Sequence, residues 1–214
     1  LAEGVAGAVA AHAALRKGAW AQPMGANDAV RVAVVGLHGK GAHHVQMLRA
    51  IPGVRVVALC DADRAVLDKR AAELAADNLQ VATYVDVRKL LESKDVDAIT
   101  IATPNHWHAL MGIWACQAGK DAYVEKPVSH NVWEGRRLVE AAAKYGRVVA
   151  AGTQSRSDEA LLELAAAIRA GKLGKILRAR GFCYKRRESI GRVDGPQPIP
   201  QSVDYDLFCG PAPL

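Results

Sequence analysis

The 214 residues are half hydrophobic and 5% aromatic, a balance that excludes a disordered or fibrous chain and leaves room for one full domain and part of another. The formal charge of +6 is local: residues 172–192 hold eight basic side chains against Glu188, a net +7 that leaves about −1 elsewhere, so the sequence does not describe a nucleic-acid-binding surface. No apolar run reaches the length of a membrane span, and Cys60, Cys116, Cys183 and Cys209, far apart and without a Cys-x-x-Cys pair, read as buried free thiols in apolar or strand-like contexts.

Residues 1–27 read as an export-signal remnant and linker. They begin without Met, are rich in Ala and Gly, and reach Ala19-Trp20-Ala21 before Gln22-Pro23, a small-x-small pattern suited to cleavage. Their modest hydrophobicity resembles a twin-arginine signal, which implies a periplasmic or otherwise exported protein. An Ala-rich surface helix on a cytoplasmic protein is the alternative.

From Val30 onward, β-branched runs alternate with helical patterns. Strands are predicted at 31–36, 55–60, 81–84, 98–103, 122–125 and 147–152, each nearly continuous in apolar residues, as in a parallel sheet covered on both faces. A helix is predicted over 130–145, with Val132, Leu138, Val139, Ala142 and Ala143 on one stripe and Gly146 as its stop. A second, over 157–170, presents Ala160, Leu161, Leu164, Ala165 and Ile168 behind a Ser157 cap. This alternation predicts an α/β fold, a Rossmann doubly wound parallel sheet over residues 28–152. After Gly174, "KILRARGFCYKRRE" reads as a strand before Gly and Pro crowd the chain, so residues 153–214 read as the start of a second α/β open-sheet domain that the sequence leaves truncated.

The first strand runs into "VAVVGLHGKGAHH", which sets Gly36, Gly39 and Gly41 at the entry to the first helix, where backbone N–H groups can bind a pyrophosphate. Twenty residues after Gly41, Asp61 ends the second strand, where a carboxylate can accept hydrogen bonds from both ribose hydroxyls of an adenosine. One departure from the usual Gly-x-Gly-x-x-Gly spacing is His38, whose β-carbon would hinder the phosphates unless Gly39 takes over. A 2′-phosphate about 4 Å from the Asp61 carboxylate would meet a repulsion of about 4 kcal/mol per charge pair at an effective dielectric near 20, which favours NAD over NADP. Arg64 can offset part of that, so NADP stays possible. Asp63 is a candidate helix cap.

"ALCDADR", "DAITIATPNHWHAL", "DAYVEKPVSHNVWEGRRLVEAA" and "AAGTQSR", in this order, resemble the Gfo/Idh/MocA oxidoreductases, over about residues 30–214. The resemblance implies a nucleotide-binding domain followed by an open-sheet α/β domain that covers the nicotinamide, hydride transfer from a sugar or polyol hydroxyl carbon, and dimers or tetramers built through the second domain. Glu125-Lys126-Pro127 follows the fifth strand, and ligands of such folds bind beyond the carboxyl ends of the strands. The resemblance implies that Lys126 donates to the reacting hydroxyl and stabilises its negative charge, that the Lys126–Pro127 bond is cis, and that Glu125 lies at the cofactor. It also implies that Thr103, Pro104 and Asn105 pass the nicotinamide, that His108 holds a familiar histidine position, that Gln154 approaches the cofactor, and that a histidine beyond Leu214 takes the proton.

His106 and His108 stand two apart and would need further ligands to hold a metal, so none is expected. A helix-start or packing role is open for both, Trp107 reads as pocket wall or core, and His43-His44 as surface and packing. Two rival functions stay open: an NAD-dependent glycosidase that is redox-neutral overall, and a nucleotide-sensing module without catalysis.

Overall fold

The computed structural model describes residues 29–184 and 186–212. The export-signal reading of residues 1–27 falls outside them. The described residues divide into two compact units, one of residues 29–152 and 201–212, the other of 153–200.

The first unit is a six-stranded parallel sheet of β1 (Val30–Val35), β2 (Val54–Cys60), β3 (Ala82–Tyr84), β4 (Ala98–Ile101), β5 (Asp121–Glu125) and β6 (Val149–Gly152), in the order β3-β2-β1-β4-β5-β6. Between the strands run α1 (Gly39–Arg49), α2 (Arg64–Ala76), α3 (Val87–Leu91), α4 (His108–Gln117) and α5 (Val132–Tyr145). Alternate strand residues feed two cores. Val34 and Leu59 pack with Val45 of α1 and Leu67 and Leu74 of α2, while Val35, Ala58, Ile99, Ile101 and Val124 pack with Leu90 of α3 and Met111 and Ala115 of α4. Both faces of the sheet are therefore covered, which is why these strands read as apolar runs without alternation.

Local chemistry sets the ends of the elements. Asp63, Asp86 and Asn131 cap α2, α3 and α5 through side-chain oxygens that accept from Ala65 N, Arg88 N and Glu134 N. Gly146 closes α5 in the left-handed region, at φ 60°. Gly112 of α4 lets α5 approach, because a Cβ there would stand 2.9 Å from Leu138 Cδ1. Strand β4 stops at Ile101, two residues short of the expected end, since Ala102 and Thr103 leave the sheet to form the loop at its carboxyl edge.

Several expectations need correction. In α5 only Leu138 of the predicted stripe is buried, joined by Ala141, while Val132 is 81% and Val139 62% exposed. The helix packs on α4 through Leu138, which meets Gly112, and leaves most of the apolar width of its sequence unburied. Among the described residues, 153–200 contain one helix, α6 (Glu159–Arg169), capped by Asp158 rather than Ser157 and burying none of its expected stripe. The stretch from Lys175 forms no strand among the described residues: it has β propensity, but nothing in its unit offers it an edge to pair with. Cys60 and Cys116 are buried free thiols, with burial, the largest cause, pushing both thiols up in pKa, whereas Cys183 is exposed and Cys209 half-buried. Residues 201–212, grouped by sequence with 153–200, return to the first unit and end in the short helix α7 (Tyr205–Cys209).

Candidate functional site

The sheet order reverses direction between β1 and β4, the crevice where open α/β sheets take their ligands. Gly36 leaves β1 at φ 82°, and a Cβ on it would lie 2.7 Å from the Ala102 carbonyl and from Thr103 N. Gly41 is tighter still: a Cβ there would sit 1.6 Å from the Gly36 carbonyl oxygen. These two glycines are demanded by the close approach of α1 to the turn. Gly39, at φ 25°, has nothing within 4 Å of where its Cβ would be, so its open face points away from protein. His38 answers the question raised by the motif spacing: it is the exposed residue preceding α1, at φ −71° and ψ 165°, ordinary extended backbone in which a β-carbon is at ease.

Among the described residues, the N–H groups of His38, Gly39 and Lys40 have no acceptor, whereas Gly41 and Ala42 N–H donate to the His38 carbonyl. Three free donors at a helix start suit a pyrophosphate. Asp61 is half-buried after β2, and its carboxylate already accepts from Leu37 N at 2.7 Å and Asp63 N at 2.9 Å. It therefore braces the glycine turn from below. The arrangement fits a dinucleotide: a phosphate cradle that side chains would fill, and a carboxylate one strand away.

On the other side of the crevice, the Lys126–Pro127 bond is cis. Glu125 ends β5 as a buried residue, 4% exposed. Its Oε1 accepts from His44 Nε2 at 3.0 Å and lies 3.3 Å from Lys40 Nζ, both on α1, and its Oε2 accepts from Lys126 N at 3.2 Å. Burial pushes the Glu125 carboxyl up in pKa, but the hydrogen bonds from His44 and Lys40 outweigh it and hold the group below its ordinary value. Burial likewise pulls His44 down in pKa, against the pull of Glu125, and because a carboxylate oxygen only accepts, Nε2–H of His44 is the donor. Lys126 itself is exposed, and among the described residues its ammonium has no hydrogen-bond or ion-pair partner.

His108 is 1% exposed at the start of α4, with Nδ1 2.6 Å from the Pro127 carbonyl oxygen and Nε2 2.9 Å from that of Thr103. It thus bridges the loops after β4 and β5, with both ring nitrogens turned to backbone. Pro104 and Asn105 are exposed on the β4 loop, and Thr103 Oγ1 points at Met111 Sδ, 3.9 Å away. Gln154, next to the first residue of the second unit, is exposed.

A cavity of about 270 Å³ opens along the carboxyl ends of β1 to β4, with Gly36, His38, Asp61, Thr103 and Pro104 in its lining. Lys126 is not among its walls. Sequence reasoning missed several residues of this region: Lys40 and His44 as partners of Glu125, Val85 and Val87 beside β3, and Leu207 and Phe208 of the returning segment. The one signal available was Asp204 before an aromatic stretch, a cap that does start α7. Among the described residues, no three His, Cys, Asp or Glu side chains are grouped to hold a metal, and no helix is long and apolar enough to cross a membrane.

A parallel sheet in this order, with a glycine turn after its first strand and a carboxylate after its second, defines a dinucleotide-binding Rossmann domain. Residues 30–153 match the model of the oxidoreductase family with NAD-binding Rossmann fold, and the chain belongs to that family, Gfo/Idh/MocA. An inositol 2-dehydrogenase of Salmonella paratyphi B is 30% identical over 184 residues, covering 83% of this chain and 52% of the relative. A glycosyl hydrolase family 109 protein of a Shewanella species is 35% identical over 122 residues, 55% of this chain and 27% of the relative. The crystal structure of myo-inositol 2-dehydrogenase from Lactobacillus plantarum superimposes with a TM-score of 0.64 at 27% identity, covering 69% of this chain and 43% of that one. The match thus spans about half the length of the Salmonella relative.

Proposed function

We propose that the protein is an NAD-dependent oxidoreductase acting on a hydroxyl-bearing carbon of a sugar or polyol. NAD, when bound, supplies the hydride acceptor. The observation that carries the reading is Lys126: an unpaired ammonium at the carboxyl end of β5, on a loop that Glu125 fastens to the helix of the glycine turn. In the proposed site the turn N–H groups of His38, Gly39 and Lys40 take the pyrophosphate, and Asp61 takes the adenosine ribose and disfavours a 2′-phosphate. Thr103, Pro104 and Asn105 border the nicotinamide. His108 keeps the two loops in register. Lys126 donates to the substrate oxygen and stabilises the charge left as its proton departs.

The Salmonella relative, named for inositol oxidation, supports a polyol substrate. On the sequence of residues 1–27 the protein is exported, and the family resemblance supports a homo-oligomer. The test is turnover of the complete protein with myo-inositol and free sugars, followed as NADH absorbance. In Lys126→Ala we expect a loss of about a hundredfold or more in kcat with NADH affinity kept, in line with the loss of a positioned acid–base group. Unchanged turnover would remove Lys126 from the mechanism.

A second reading rests on the Shewanella relative, whose name is that of a glycosyl hydrolase. Release of the aglycone from aryl glycosides without net NADH would favour a redox-neutral glycosidase. Accumulation of NADH from free polyol would favour the first reading.

A further inference from the structure

Resting on the assignment of NAD to the crevice, the geometry points to residues 201–212 as one wall of the adenosine pocket, with Phe208 and Leu207 facing the purine. The pyrophosphate position at the glycine turn and the ribose position at Asp61 fix a direction. Beyond Asp61, away from β1, the nucleotide base must extend across the carboxyl end of β3. Besides the glycine turn and Asp61, the cavity is lined by the apolar side chains of Val85, Val87, Trp107, Met111, Leu207 and Phe208, with Asp86 the one further carboxylate among them. A flat aromatic base is suited by such walls.

The segment that brings Leu207 and Phe208 to this place is tied at both lips of the pocket. On the β2 side, Arg64 N donates to the Ser202 carbonyl at 2.8 Å, Asp204 N donates to the Ala62 carbonyl at 2.9 Å, and Asp63 bridges to Val203 in antiparallel fashion. On the β4 side, Trp107 Nε1 donates to the carbonyls of Leu207 and Phe208 at 3.1 and 3.2 Å, and His106 Nε2 donates to that of Phe208 at 3.1 Å. Gly210 then lies so flat on the indole that a Cβ would stand 2.0 Å from Trp107 Cζ2. A strap anchored to the loop after Asp61 and to the loop after Thr103 and Pro104 holds the two halves of the nucleotide site at a fixed separation. Phe208 and Leu207 are thereby specificity and positioning residues for the adenosine end.

The experiment compares the complete wild-type protein with Phe208→Ala by titration calorimetry, using NADH, ADP-ribose and nicotinamide mononucleotide. The expected result is about a tenfold loss of affinity for NADH and ADP-ribose, the scale of losing one base–aromatic contact, with no change for the mononucleotide, which lacks the adenosine. In the unchanged protein, ADP-ribose is expected to slow amide hydrogen exchange across residues 201–212. Equal affinities with unchanged exchange would overturn the proposal, as would an equal loss for all three ligands, which would mark a purely structural role. Should Phe208→Ala not fold, the exchange measurement decides alone. A wild-type protein that binds neither NADH nor ADP-ribose would overturn the NAD assignment itself, a different failure from binding that Phe208 leaves untouched.

Discussion

His44 Nε2 donates to Glu125 Oε1 at 3.0 Å across 81 residues of sequence, and that contact ties the loop bearing Lys126 to the helix that opens the phosphate cradle. Glu125 also accepts from Lys40 and from Lys126 N, whereas the other ring nitrogen of His44 is buried and unpaired, so the histidine depends on Glu125 alone for its hydrogen bond. The reacting end and the nucleotide end of the proposed site are therefore held to each other by one buried carboxylate, rather than by the sheet alone. The Tyr123 ring packs edge-on against His44 at 5.5 Å, which leaves the imidazole little room to turn.

Removing that carboxylate is expected to cost stability before it costs chemistry. Glu125→Ala leaves the His44 N–H without an acceptor in a buried place and should lower the unfolding free energy by about 1–3 kcal/mol, because Lys40 can turn to solvent while His44 cannot. Glu125→Gln keeps an acceptor and should lose less. Urea unfolding of both variants checks the order, and equal losses would mean that charge rather than hydrogen bonding dominates.

The same pair sets a pH dependence. Burial, the largest cause, keeps the native His44 below its ordinary 6.5, despite the opposing pull of Glu125 and with Lys40 and His43 acting in the same sense as burial. The unfolded chain therefore takes up a proton at this position where the native chain does not, and stability falls as pH drops below about 6.5. Glu125, held below its ordinary 4.5, adds a second loss only at more acid pH, as its native value is crossed. The urea midpoint should fall between about pH 7.5 and pH 5.5 and flatten in His44→Gln, which removes the titrating ring. A slope unchanged in that variant would assign the effect to other histidines.

What the sequence made legible were features that steric rules force into a few residue types. Gly36 and Gly41 could be read because backbone stands where their side chains would go, Asp61 because it ends an apolar strand, and the strands because burial on both faces leaves no polar alternation. What could not be read depends on which surfaces meet. Val132 and Val139 look as apolar as Leu138, yet only Leu138 finds α4 beneath it. The stretch from Lys175 has strand composition without a strand beside it, and Leu207 and Phe208 reach the pocket through hydrogen bonds to Ala62, Arg64 and Trp107 that no local pattern announces. The Glu125–His44 contact belongs to the same class, since the histidine alone reads as a packing residue.

The glycines allow fold and binding to be separated. Gly41→Ala drives a methyl into the Gly36 carbonyl and should cost about 1–3 kcal/mol by overpacking, together with the NADH site. Gly39→Ala meets no protein atom, so its penalty is the positive φ alone, about 1 kcal/mol, while its methyl stands on the open face proposed for the phosphates. Thermal unfolding and NADH titration should thus show two losses for Gly41→Ala, and for Gly39→Ala chiefly one, in affinity. If Gly39→Ala binds NADH as tightly as wild type, the phosphates do not lie over that face.

Asp61 makes the cofactor preference harder to alter than a ribose contact alone would. Its Oδ2 satisfies the N–H of Leu37, a residue with no exposed surface, so Asp61→Ala both removes the proposed ribose acceptor and orphans a donor beneath the glycine turn. That variant should lose about 1–3 kcal/mol of stability and at least about tenfold in NADH affinity, without gaining NADPH. Asp61→Asn retains an oxygen for Leu37 N–H but sets its NH2 against Asp63 N–H, so it should lose less stability than the Ala variant while narrowing the gap between NADH and NADPH. Parallel titrations with both nucleotides, alongside unfolding curves, check this. An Asn variant that is as unstable as the Ala variant would show that the oxygen kept for Leu37 N–H does not by itself support the turn.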